Sequence, residues 1–210
     1  MSQNPILFNT QMVRALLEGR KTVTRRVVKP QPNGNGMVKM PDDSCWPGYW
    51  AEVGSPRVIK PPYQPGDVLY VRETWAELET AYGVPYYAYK ADDSDLHHSS
   101  GENFSRWYPS IYMPRKAARI FLRVTGVRVE RLQDITPDQI DAEGCKEWAY
   151  SATTGEPLPS GPSWFRIAWD NTVKSTDRAT CGWETNPWVW VIAFERVEKP
   201  AKNNLDGENP

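Results

Sequence analysis

The stretch ARIFLRVTGVRVERLQDITPDQIDAEG, residues 118–144, decides the fold class. Its first half, 118–132, has the β-branched and apolar pattern of one long strand, or of two strands joined by a bend. Its second half carries the signals of a helix start. Thr136 stands at the N-cap, Pro137 at the first helical position and Gln139 at the third. Ile135 and Ile140 are spaced as a hydrophobic staple, and Gly144 closes the helix. A long strand running into a short capped helix, with no glycine-rich phosphate loop, predicts a mixed α+β domain rather than a series of βαβ units.

The flanking sequence extends this pattern. TQMVRALLEG (10–19) predicts a helix with Thr10 as N-cap and Gly19 as the left-handed residue after its end. KTVTRRVV (21–28) alternates as a strand. PGDVLYVRETW (65–75) is a turn into a strand with Leu69, Val71, Glu73 and Trp75 on one face. VPYYAYKA (84–91) is another short strand. SGPSWFRIAWDNTV (160–173) predicts a helix with an aromatic face. NPWVWVIAFERV (186–197) is apolar on both faces, as a central strand is. Between these lie two segments read as insertions, about 30–64 and 76–112. The first is rich in Pro, Gly and Asn, with a hairpin expected at NGNG (33–36). A single domain is expected over 1–198, with a disordered tail at 199–210.

Composition narrows the function classes. Twenty-five basic residues balance 26 acidic ones, so any case for nucleic-acid binding rests on local patches. No apolar stretch approaches the ~18 residues of a membrane span. The N-terminal sequence lacks the features of a secretory signal. Cys45, Cys145 and Cys181 are too few and too scattered for a disulfide framework or a zinc site. The expectations are a reducing cytoplasm, no metal and no cofactor. The two histidines, His97 and His98, lie in a polar loop that is a poor foundation for a histidine-based triad. Ten tryptophans give more aromatic surface than a core of this size ordinarily uses, so some are candidates for stacking on planar ligands.

Charge is concentrated at residues 14–29. Arg14, Arg20, Lys21, Arg25, Arg26 and Lys29 are opposed there only by Glu18. The cluster suits either an exposed turn at a helix C-terminus or an anion site with arginine forks for phosphate. Within it, Thr24 is a latent nucleophile and Lys21 a latent base. Their three-residue spacing puts them on opposite faces of an ideal strand, so they meet only if the chain bends after Gly19. Glu143, in the last turn of its helix, opposes the helix dipole and calls for a cationic partner or an acid–base role. Glu73 interrupts an apolar face and calls for an arginine, with the basic cluster one source.

Together LLEGRKTVTRR, PGDVLYVRETW, RIFLRVTGVRVERLQDITPDQIDAEG and NPWVWVIAFERV resemble the ASCH-domain family, in the form found in tailed phages and prophages. The matching blocks cover roughly half the chain. The resemblance implies a PUA-like small β-barrel flanked by helices, and a role in RNA recognition or modification. One branch, the bacterial N4-acetylcytidine amidohydrolases, carries the same basic motif. It implies Lys21, Thr24 and Glu143 as catalytic residues, although that branch lacks both insertions. Arg20, Arg25, Arg26, Glu73 and Trp75 are then the candidate substrate contacts, for a nucleoside or single-stranded RNA, with DNA as a further partner and no membrane. A non-catalytic base-binding module, a ribonuclease and a phage accessory protein acting through protein contacts are the competing expectations.

Overall fold

A computed structural model describes residues 3–32, 37–39, 45–49, 57–80, 82–92, 106–145 and 162–200. In chain order these form β1 (Gln3–Leu7), α1 (Thr10–Leu17), β2 (Val23–Val27), β3 (Met37–Lys39), β4 (Cys45–Tyr49), β5 (Arg57–Val58), β6 (Val68–Arg72), β7 (Trp75–Glu79), β8 (Pro85–Tyr89), β9 (Phe121–Arg131), α2 (Pro137–Ala142), α3 (Pro162–Thr172), α4 (Arg178–Cys181) and β10 (Trp188–Val197). The class is α+β. Among the described residues the strands form open sheets, and none closes into a barrel. No helix among them is long and apolar enough to cross a membrane.

The chain divides into two compact units. The first comprises Met1–Val13, Asp67–Arg123 and Glu195–Pro210, and the second Arg14–Gly66 and Val124–Phe194. In the first, β1 runs parallel to β6, with Ile6 opposite Val71. β6 pairs antiparallel with the start of β9, Leu69 opposite Leu122. β7 and β8 make a hairpin, and Val68, Trp75, Met113, Ala117, Ala118 and Phe121 form a buried cluster. Alternation through 65–75 places Trp75 on the face of Leu69 and Val71. The strand ends at Arg72 instead, and Trp75 opens the next one, so its ring joins Val68.

In the second unit β10 lies between β9 and β2, as its two apolar faces imply. It pairs antiparallel with β2, Val191 opposite Arg25 and Ile192 opposite Thr24. Ile135 and Ile140 beside α2, Phe165 and Trp169 of α3, and Val23, Val189 and Val191 of the strands share one core. β3, β4 and β5 form a small antiparallel sheet. The hairpin expected at 33–36, the polar run with His97 and His98, and most of the tail lie outside the described residues.

Two helix ends position the site. α1 is capped by Asn9, not Thr10: the Asn9 Oδ1 accepts from the Met12 N–H at 2.8 Å, and Thr10 is already helical. At its other end the Gly19 N–H bonds the Leu16 carbonyl and the Arg20 N–H the Ala15 carbonyl, with Gly19 at φ 74°. This is a Schellman motif, and it turns the chain sharply before Lys21. α2 has the full capping box, with the Thr136 side chain accepting from the Gln139 N–H and the Gln139 side chain accepting from the Thr136 N–H.

Candidate active site

The turn after α1 brings residues 20–22 against the end of α2. The Thr22 N–H donates to the Ala142 carbonyl at 2.9 Å, and Arg20 Nη1 donates to the Gly144 carbonyl at 2.7 Å. Gly144 has φ 80°, and a Cβ there would fall 2.6 Å from the Ala15 Cβ and 2.9 Å from the Lys21 Cβ. Only glycine permits both that backbone and that approach. Glu143, the residue before it, is thereby held beside Lys21.

Lys21 is buried, and its ammonium donates to Glu143 Oε2 at 2.7 Å, to the Val23 carbonyl at 2.8 Å and to the Glu143 carbonyl at 3.1 Å. Three acceptors require three hydrogens, so this is the ammonium form. The second carboxylate oxygen, Glu143 Oε1, accepts from Arg25 Nη1 at 3.1 Å. Arg25 also donates Nε and Nη2 to Glu130 Oε1, at 2.9 and 2.6 Å, and Nη2 to Gln139 Oε1 at 2.7 Å. The side chains of Lys21 and Arg25 are 0% and 1% exposed, and that of Glu143 5%. Such burial is tolerated because each charge is met by opposite charge and hydrogen bonds; removing one partner costs about 3–5 kcal/mol. Glu143 caps α2 at the end where the dipole disfavours an anion, and its two cations resolve the misfit.

Thr24 is buried at 1% exposure. Strand alternation in β2 places it on the face opposite Val23 and Arg25. It follows directly the residue whose carbonyl receives the Lys21 ammonium. Lys21 precedes the strand, so the two-residue alternation that separates positions 21 and 24 in an ideal strand does not govern it. The structure thus gathers Lys21, Arg25 and Glu143 into one ion cluster, with Thr24 adjoining it through the backbone.

Arg26 is half-buried, and burial lowers its pKa from the usual arginine value while the charge of Glu143 acts in the opposite sense. With Arg25, Lys29, Lys174 and Trp169 it lines a cavity of about 240 Å³. Arg20 is partly exposed and pairs with Glu18. Cys145, beside the cluster, has its thiol pushed up to about 12, first by burial and then by the Glu143 charge.

Glu73 and Trp75 belong to the first unit. Glu73 does find an arginine, but it is Arg119, whose Nε and Nη2 donate to its two oxygens at 2.9 and 3.0 Å. Arg119 also holds Asp92 and lies 3.9 Å over the Tyr89 ring. Burial raises the Glu73 pKa despite this pairing. Glu130 and Gln139 are residues of the ion cluster that the sequence does not single out, and Arg119 is the partner of Glu73 that it does not name. Gln139 carries one signal, its place in the capping box, which says nothing of its second bond to Arg25. Among the described residues no group of three His, Cys, Asp or Glu side chains is placed to hold a metal. No family model matches the chain, nor does any curated protein or solved structure.

Proposed function

We propose that the second unit is an amidohydrolase acting on N4-acylated cytidine, with Thr24 as nucleophile and the Lys21–Glu143 pair as its proton-handling partner, in a PUA-like cytoplasmic protein of the ASCH type. The observation that carries this reading is the buried 2.7 Å contact between Lys21 Nζ and Glu143 Oε2, with the same ammonium on the carbonyl of Val23, the residue before Thr24. At rest the pair is ionised, and Arg25 reinforces the carboxylate. Transfer of one proton from Lys21 to Glu143 leaves an amine that accepts the Thr24 hydroxyl proton as Thr24 Oγ1 attacks the acetyl carbon. The C–N bond breaks, the exocyclic amine leaves with a proton returned through the pair, and water then hydrolyses the acetyl-threonine ester. The products are cytidine and acetate. Base and acid are therefore roles of the hydrogen-bonded pair rather than of either residue alone.

The test follows cytidine release from N4-acetylcytidine by chromatography. Wild type is expected to release cytidine and Thr24→Ala to lose at least about a thousandfold in rate, a nucleophile-scale loss. No release by wild type, or equal release by Thr24→Ala, sinks the reading. One observation favours a base-binding module instead: the Lys21 ammonium is already held by three acceptors, while Arg26 and Lys29 line the cavity of about 240 Å³. That alternative predicts salt-sensitive RNA binding that survives Thr24→Ala.

A further inference from the structure

The first unit contains a second cavity, of about 590 Å³, within the segment whose sequence reads as an insertion. Its walls are aromatic: Trp75, Trp107, Tyr108 and Tyr112, with Glu77 and Arg106 as the charged lining. Strand alternation in β7 sets Trp75 and Glu77 on one face, while Ala76 and Leu78 are buried on the other. A bridge between Trp75 and Tyr108 brings the second aromatic segment alongside, with N–H to carbonyl distances of 3.2 and 2.8 Å. The two rings lie 5.4 Å apart at 33°, and the Arg106 guanidinium sits 4.9 Å over Tyr108.

Three observations select the occupant. The volume falls in the range of small-molecule sites, about 300–1,000 Å³, and exceeds what a quaternary ammonium head needs. The Trp75 indole N–H is buried with no hydrogen-bond partner among the described residues, a defect that an acceptor on a ligand would repair and a hydrocarbon would not. The charges are of both signs: Glu77 accepts from an amine, and Arg106 repels a cation while favouring phosphate. A flat base with a ring acceptor, an exocyclic amine and a phosphate meets all three.

We propose that this cavity binds an amino-bearing nucleobase with its phosphate, the base lying among Trp75, Trp107, Tyr108 and Tyr112, its amine on Glu77 and its phosphate on Arg106. The source is either a free nucleotide or an unpaired residue of a single strand. The site does not depend on the hydrolase reading, because it is assayed by equilibrium binding of unmodified nucleotides with no turnover.

Fluorescence anisotropy of labelled oligo-rC and oligo-rU, with cytidine monophosphate and tetramethylammonium as competitors, tests it. Oligo-rC is expected to bind more tightly than oligo-rU. Trp107→Ala and Tyr112→Ala are each expected to weaken binding about 5- to 100-fold, the range for loss of a stacking ring. Tyr112 is 69% exposed, so its removal leaves the fold intact, as circular dichroism would verify. Glu77→Gln is expected to abolish the preference for rC. Full competition by cytidine monophosphate marks a nucleotide site; binding of the oligomer with weak competition marks a strand site. Undiminished binding in Tyr112→Ala, equal affinity of wild type for rC and rU, or competition by tetramethylammonium as strong as by cytidine monophosphate overturns the proposal.

Discussion

At the scale of single residues, two glycines with positive φ do different work. Gly19, at φ 74°, has nothing within 4 Å of the position a Cβ would take, so only its backbone conformation demands glycine. Gly19→Ala is therefore expected to cost about 1–2 kcal/mol, the strain of a left-handed alanine. Gly144, at φ 80°, faces the same strain and also the Ala15 and Lys21 Cβ atoms at 2.6 and 2.9 Å. Overpacking there adds about 1–3 kcal/mol, so Gly144→Ala is expected to cost about 2–5 kcal/mol in all. Urea unfolding of both variants measures the difference. Equal losses would mean that the approach of Lys21 to α2 is looser than these distances. The same approach sets the Lys21–Glu143 contact, so Gly144→Ala should disturb the ion pair where Gly19→Ala need not.

At the scale of elements, α2 is only six residues long and too short to be stable by propensity. Its caps and its packing hold it, and it in turn holds Glu143. Thr136 is exposed, so Thr136→Ala removes the cap with little loss of burial. The expected cost is about 0.5–2 kcal/mol, read as a lower midpoint in thermal or urea unfolding. Gln139→Ala should cost more, because that side chain accepts from both the Thr136 N–H and Arg25. If the two variants are equal, the Arg25 bond adds nothing to stability. This helix also shows what is legible in sequence. Its cap, its first proline, its staple and its closing glycine are local signals, and all are readable. Its partner is not: Arg25 and Lys21 lie more than a hundred residues away, and only the long-range packing of β2 on α2 joins them. Glu143 announces a missing cation by its unfavourable position but cannot name it. For Glu73 the same logic yields the right kind of partner and the wrong source, since Arg119 carries no local mark. β1 is not legible because five residues containing Asn and Pro show no alternation, and its pairing with β6 is set by tertiary contact.

At the scale of the whole molecule, the described residues include two apolar cores built from interleaved segments, so neither unit is a continuous piece of sequence. Cys145 reports on one of them. It is 2% exposed, packed with Val23, Ile140 and Trp169 in the core of the second unit. With its thiol pushed up to about 12, only about one molecule in ten thousand carries the native thiolate at pH 8. Burial and protonation close the direct route for an alkylating reagent, so labelling must pass through an opened state in which the thiol regains its ordinary acidity near about 8.5. A folded-state pKa raised above the unfolded value favours the folded state below about pH 8.5, and this contribution is lost as pH rises from there toward 12. Mass spectrometry of the Cys145 peptide after timed iodoacetamide exposure is expected to show slow labelling at pH 8. Its rate should rise with urea as steeply as global unfolding does, because the core must open to free the thiol. Labelling that is slow but indifferent to low urea would place the opening in the 142–145 turn alone. In that case the turn that presents Glu143 to Lys21 is a separately mobile element, and the ion pair forms and breaks without the core.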